Sequence, residues 1–445
     1  MAFDPAREAL ERLRPVARLL PNPARRAHVV RDLSQVETVN HAAEVDPTDV
    51  GMTRDDVEAI WSSVRTVYRT GIHPAMALCL RRDGAVILDR TIGHAHGNGP
   101  DDDRDAERVL ATPDTPFLMA SASKAITAMV VHLLDQRGDL HVDDRVCDYI
   151  PEFARNGKES ITINHVLSHR AGVPNIPPEA LDLDLLDDRD HILTQLVEGT
   201  PTLPPGRFIA YHAISGGFIL GEIVHRVTGK SIRDVLRTEI LDPLGFTGLD
   251  YGVHPSAIDT VARGYVTGLP VLPPVSTVLE RALGLPFEDV TAALNDPRAL
   301  TGVIPAGNIV GTANEMSRFF ELLRQQGELD GVRVFEPRVI RRAVSEQSYM
   351  EFDFTLGFPF RYGLGFMLGA KLLSLYGPDT HHAFGHLGFT NIAAWADPQR
   401  RLSGAFLTSG KPVLGPHLLP WWNVMRTITA HTPSDGLIDG GRDWA

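Results

Sequence analysis

The sequence predicts an α/β protein built on an antiparallel sheet flanked by helices and interrupted by a mostly helical insert. Three observations carry that expectation. Two pairs of apolar, strand-length runs, at 75–90 and 391–408, are each joined by a tight turn. Helical periodicities precede and follow these pairs, and residues 139–300 alternate helical runs with loops rich in proline and glycine. Strands that follow one another through a short turn pair antiparallel, because parallel neighbours need a crossover of a dozen or more residues. A doubly wound parallel sheet is therefore disfavoured.

Residues up to about Gly71 read as an extension. Leu10, Leu13, Val16 and Leu20 recur at helical spacing among Arg7, Arg12, Arg14 and Arg18, a polar linker surrounds residues 45–50, and a helix covers about 54–70. The first helix is expected to pack on the protein body rather than to anchor it peripherally on a membrane. Residues 75–80 and 85–90 flank Arg82-Asp83-Gly84, the pattern of a hairpin. Residues 122–134 are helical, with Gly138 placed just past the end. The insert carries helical runs at 162–167, 191–198, 214–227 and 232–241, while 265–286 shows no period and is expected to form a surface loop or lid. A helix at 313–325 precedes strands at 362–368, 391–396 and 402–408, the last two joined at Asp397-Pro398. A helix at 421–430 and the one before the first hairpin are each expected to cover a sheet face. The resulting organisation is an extension (1–71), a discontinuous α/β unit (72–138 and 300–431), the insert (139–299) and a tail (432–445).

Composition narrows the function classes. The 445 residues carry 43 Lys and Arg against 56 Asp and Glu, a net charge of −13 that repels phosphate backbones and anionic lipid. Nucleic acid is not an expected partner. At 43% hydrophobic and 22% charged residues, the chain can bury a sizeable core. Cys79 and Cys147 are too few for a disulfide framework or a thiolate cluster and are expected as buried free thiols. The N-terminus lacks the basic start and apolar run of a secretory signal, and no window reaches the ~18 apolar residues of a membrane span. A cytoplasmic protein without a membrane span is expected; the pattern leaves oligomeric state open.

Met119-Ala120-Ser121-Ala122-Ser123-Lys124 contains an S-x-x-K tetrad at the start of the helix predicted at 122–134. Three residues apart on a helix means one shared face, so the Ser121 hydroxyl and Lys124 amine approach each other. A lysine made neutral by burial can take the serine proton, and a helix N-terminus offers N–H groups to a developing oxyanion. By itself the tetrad also fits an N-cap serine beside a surface lysine. Two further motifs change the reading: Tyr211-His212-Ala213 after the Pro204-Pro205-Gly206 turn, and His386-Leu387-Gly388 followed by Phe389 at the edge of the strand-rich tract.

In this order of motifs the sequence resembles the serine β-lactamase and penicillin-binding-protein superfamily. The likeness is to its class C β-lactamase-like branch, with the DD-peptidases, family VIII carboxylesterases and related amide hydrolases. It spans about Gly71 to His431 and is supported by residues 138–144, 162–172 and 221–230 and by Ala306-Gly307 with Thr312-Ala313. The resemblance implies a β-lactamase-like (DD-peptidase-like) fold and a serine hydrolase working through an acyl-enzyme without a cofactor. It makes Ser121 the nucleophile, Lys124 its partner and Tyr211 the proton-shuttling phenol. The backbone N–H groups of Ser121 and Phe389 would form the oxyanion hole. Gly388 would leave room for substrate, His386 would bind a substrate carboxylate only if protonated, and Ser123 and His212 fall among the supporting positions.

One departure bears on substrate. The third position of the tyrosine motif, usually Asn or Ser, is Ala213, which lacks a contact for an acylamino group. This favours small carboxylic esters as substrates. The alternatives are a β-lactamase or D-aminopeptidase-like amidase, an acyltransferase, and a non-catalytic binding protein. No carboxylate is assignable to class A-type deacylation. Among competing signals, Ser215 in Ala213-Ile-Ser-Gly-Gly217 mimics a nucleophile elbow but follows no buried strand. His94 and His96 near Asp101, Asp102 and Asp103 read as a solvated loop rather than a metal site. His165, His169 and Arg170 read as structural.

Overall fold

The computed structural model describes residues 24–173, 182–413, 415 and 417–434. The amphipathic run at 7–20 and the end of the tail lie outside the described residues. One large sheet organises the rest. Its strands lie in the order Glu37–Val39, Ala85–His96, Ala75–Arg82, Leu402–Thr408, Ala393–Asp397, Phe384–Leu387, Met367–Leu368, Pro359–Tyr362 and Ser348–Phe352, each antiparallel to the next. Val109–Leu110 pairs separately with Ala85–His96.

The central strands are buried on both faces because helices cover both. Strand side chains alternate, so Met76, Leu78 and Leu80 meet Trp61, Val64, Val424 and Met425 from the helices Arg54–Arg69 and Leu418–His431. Ala75, Ala77 and Cys79 face the helices Ser123–Arg137 and Ala313–Arg324, whose Met129, Val130, Met316 and Phe320 complete the other core. Each such large apolar side chain contributes about 1.5–3 kcal/mol when fully buried. The helix Arg54–Arg69 starts where the Thr53 hydroxyl and Asp56 carboxylate satisfy each other's main-chain N–H groups. Residues 37–69 thus supply the covering helix expected before the first hairpin and also an edge strand, Glu37–Val39, that the sequence does not reveal.

Three further differences have local causes. The single strand expected at 362–368 is two strands, Pro359–Tyr362 and Met367–Leu368, with a reversal between them. Gly365, at φ +91°, makes the reversal possible: a Cβ there would lie 2.1 Å from Ala128 Cβ of the helix beneath. The stretch 265–286, expected as irregular, contains the strand Tyr265–Val266 and the helix Val275–Leu283, entered from Pro274 and closed by a left-handed Gly284. Cys147 is only partly buried, whereas Cys79 is fully buried; both are free. No helix among the described residues is long and apolar enough to cross a membrane.

Candidate active site

The site begins where Phe117–Leu118 pairs with Ile309–Gly311 and the Met119 N–H donates to Ile309 O at 2.8 Å. Ala120 then takes φ +47°, a left-handed conformation costly for a side-chain-bearing residue, and turns the chain through Ala120–Ala122 into the helix Ser123–Arg137. Ser123 holds this turn. Its hydroxyl donates to Ala120 O at 2.5 Å and accepts from the Ile309 N–H at 2.9 Å. Both polar capacities are spent on main chain, which makes Ser123 a clamp on the Ser121 turn.

Lys124 Nζ lies 3.2 Å from Ser121 Oγ and also donates to Ala213 O at 2.7 Å and Ala306 O at 3.1 Å. Burial lowers the amine to about 7, so near neutral pH a large fraction of it is free base. Tyr211 arrives from the extended stretch after Gly206, with its ring centroid 4.8 Å from Lys124 Nζ. Burial pushes its phenol well above the ordinary range, a hydrogen bond with Ser121 works against that, and the Asp353 charge adds to it. The group is therefore a phenol, not a phenolate, at neutral pH. Hydroxyl, amine and phenol, 90 residues apart along the chain, meet at one place.

Asp353 is the residue that sequence reasoning misses. Fully buried, it accepts from the Tyr211 N–H at 3.1 Å, the Tyr362 hydroxyl at 2.9 Å, and the N–H groups of Thr355 and Leu356 at 2.8 and 3.0 Å. Asp-x-Thr marks a local turn in the sequence, but nothing in the pattern links it to position 211.

His386 and His212 lie differently from expectation, whereas His165 and His169 take the structural places read for them. His386 is 1% exposed, shares a 2.7 Å contact between Nδ1 and Leu387 O, and has its ring 6.2 Å from that of Tyr211. Burial, aided by the Lys124 charge, lowers it to about 3, so it offers no cation to a substrate carboxylate and it does not line the cleft. His212 is not a substrate contact. In an extended stretch alternate residues face opposite ways, so Tyr211 and Ala213 line the cleft while His212 turns inward to His169, Nδ1 to Nδ1 at 3.3 Å. His169 packs its ring 4.7 Å from Tyr211, His165 caps a helix with Thr162, and Arg170 pairs with Glu351 at 2.6 Å. Ser215 opens a helix with its hydroxyl donated to Val173 O at 2.6 Å. No group of three potential metal ligands assembles among the described residues.

Gly388 is required for packing before any question of substrate. A Cβ there would stand 2.4 Å from Met119 O and 2.7 Å from Ile392 Cβ, so its absence lets the strand end close on the Ser121 turn. This brings Phe389 to the same cleft as Ser121. The cleft encloses about 480 Å³. Its polar side chains are Ser121, Tyr211, Thr390 and Asn391. The remaining wall is apolar or glycine, including Phe218, Leu283, Leu294 and Phe389, and no charged side chain lines it among the described residues. The helix Val275–Leu283, at a position expected to be loop or lid, provides part of that wall through Leu279, Ala282 and Leu283.

The chain is similar to known proteins in sequence and fold. The chain is 28% identical over 345 residues to the Mycobacterium tuberculosis protein named esterase/beta-lactamase LipL, covering 74% of this chain and 76% of that one. Among solved structures, a penicillin-binding protein homologue from Caulobacter crescentus superposes with a TM-score of 0.72 at 28% identity, over 86% of this chain and 99% of the other. A family VIII carboxylesterase gives 0.70 at 26% identity, over 84% and 98%. The family model described as Beta-lactamase matches residues 64–426. Because that match takes in the Ser121 turn, the Tyr211 segment and the His386 strand within one fold, the chain belongs to the beta-lactamase family and is a serine hydrolase of that fold.

Proposed function

We propose that the protein hydrolyses uncharged carboxylic esters with apolar acyl groups through an acyl-enzyme on Ser121. The observation that carries this reading is the combination of a Ser121–Lys124–Tyr211 cluster with a cleft wall that, among the described residues, is free of charged side chains. Ser121 Oγ attacks the ester carbonyl and passes its proton to Lys124, which is available as free base near pH 7. The N–H groups of Ser121 and Phe389 hold the oxyanion. Tyr211, a phenol that faces the same cleft as Ser121, relays the proton to the departing alkoxide. Water then attacks the acyl-enzyme by the reverse relay.

The wall argues against substrates that carry a carboxylate. A β-lactam or a peptide C-terminus would bury its anion with no cation to meet it among the described residues, since His386 is neutral and no lysine or arginine of these lines the cleft. Ala213 gives an acylamino group no side-chain hydrogen bond. The esterase element in the names of LipL and the family VIII carboxylesterase supports the same reading. The apolar wall also gives room to an alcohol as an alternative acyl acceptor, so acyl transfer is the reading to compare with hydrolysis.

A fluorophosphonate should label Ser121, and Ser121→Ala should abolish turnover of p-nitrophenyl esters in a folded protein. Full activity in Ser121→Ala would overturn the assignment. A higher kcat/KM for a chromogenic cephalosporin than for short-chain esters would replace the esterase reading with a lactamase one.

A further inference from the structure

A second cavity, of about 310 Å³, lies behind the helix Phe287–Leu294. Leu294 lines both spaces, while Val290 and Ala293 face the ester cleft and Thr291 and Asn295 face the second cavity. Lys411 also lines the second cavity. It sits in the short strand Gly410–Lys411, which pairs parallel with Tyr265–Val266, and it is 4% exposed. Its Nζ donates to Thr408 O at 2.9 Å. An ammonium has three donors, of which Thr408 O takes one.

Most other polar side chains here are engaged, and His96 Nε2 is left without a hydrogen-bond partner. Asn295 binds main-chain atoms of Gly264 and Thr291, and the Ser409 hydroxyl binds those of Ala75. His96 is held neutral by burial and by Arg263. Arg263 and Asp259 are exposed at the rim and opposite in charge. Phe117, Leu118, Val261 and Leu300 give the wall an apolar part beside its polar groups. One buried cation beside that apolar part suits one negative charge on a short carbon chain. A phosphate dianion would need more positive charge than Lys411 supplies. At about 30 Å³ per water-sized unit, the volume accepts a carboxylate carrying a handful of carbons.

We propose that this cavity is a binding site for a short apolar monocarboxylate, with Lys411 as its counter-ion. Burial lowers the free amine to about 7, and a bound carboxylate would return it to the charged form. The same chemistry describes the acid this enzyme would release and an acid made elsewhere; only the first source rests on the esterase reading.

Titration calorimetry with hexanoate tests the site without turnover. Wild type and Ser121→Ala should bind one equivalent alike, and Lys411→Met should bind at least tenfold more weakly while keeping its ester kcat/KM. Leu300→Phe, which fills the cavity and leaves Lys411 in place, should weaken binding as well and covers the case in which Lys411→Met does not fold. No binding by wild type, undiminished binding by Lys411→Met, or loss of binding in Ser121→Ala would overturn the proposal, the last by placing the acid in the ester cleft. Given binding, progress curves for p-nitrophenyl hexanoate assign the source. Product inhibition relieved by Lys411→Met identifies the enzyme's own acid, and its absence identifies an external one. Should Ser121→Ala retain esterase activity, the hydrolytic assignment fails while the binding result stands.

Discussion

The most discriminating perturbation is pH, because the groups around Ser121 titrate in well-separated ranges. Lys124 must be neutral to accept the Ser121 proton, and burial sets its midpoint at about 7. The base form gains with rising pH, so kcat/KM should climb through neutrality and level off near pH 8. Below the midpoint the neutral fraction falls tenfold per pH unit, leaving about 10% at pH 6 and about 1% at pH 5. His386 and His212, both lowered to about 3 by burial, would place the limb far lower if either were the base. Tyr211 acting as phenolate would place it above pH 10. Lys124→Arg preserves a hydrogen-bonding cation but stays protonated throughout, so it should lose roughly 10²–10⁴ in kcat/KM and lose the limb. The assay is kcat/KM for a p-nitrophenyl ester from pH 4.5 to 9, with stability followed in parallel. A flat profile between pH 5 and 8, or a limb near 7 that survives in Lys124→Arg, would refute Lys124 as the base.

Other substitutions probe the supports of the site. Ser123→Ala orphans the buried Ile309 N–H and releases the Ala120 turn, and should cost about 1–3 kcal/mol in urea unfolding; kcat/KM should fall without moving the pH limb near 7, and a shifted or lost limb with intact folding would instead put Ser123 in the proton path. Asp353→Ala leaves four donors without their acceptor. It should destabilise by about 2–4 kcal/mol and lower kcat more than it raises KM, because Tyr211 loses its anchor; an unchanged kcat would remove Asp353 from the positioning of Tyr211. Val290→Trp intrudes into the apolar cleft. Excluding three methylenes at about 0.8 kcal/mol each should cut kcat/KM for p-nitrophenyl octanoate roughly fiftyfold while the acetate ester changes little, and equal losses for both esters would show that Val290 does not bound the acyl chain.

Legibility in the sequence followed the range of the interaction that sets each feature. The hairpin at 75–90 is readable because apolar runs and a glycine turn act over a few residues, while the strand's continuation to His96, a stretch the sequence reads as a solvated loop, is not. The Ser121–Lys124 pair, which one helical turn brings together, is readable too. At 362–368 the local pattern misled, because apolar residues between glycines suit a strand and a reversal equally until a neighbouring helix, at Ala128, selects one. The helix Val275–Leu283 carried its punctuation, Pro274 before and Gly284 after, but its apolar face acquires meaning only against the cleft. Gly388 was read for its effect on substrate, and its nearer constraint is the Met119 carbonyl.

From residues alone come the class of fold, the order of the motifs, the serine-lysine pair and the missing amide contact at Ala213, since each depends on bonding geometry or side-chain identity within a short stretch. Tertiary structure decides the rest: the arrival of Tyr211 beside Lys124, the hidden carboxylate of Asp353, the neutrality of His386 and the uncharged wall. Those properties depend on desolvation and on the shape of a shared space. Both are sums over atoms from distant parts of the chain, and they take values only once the chain has folded around them.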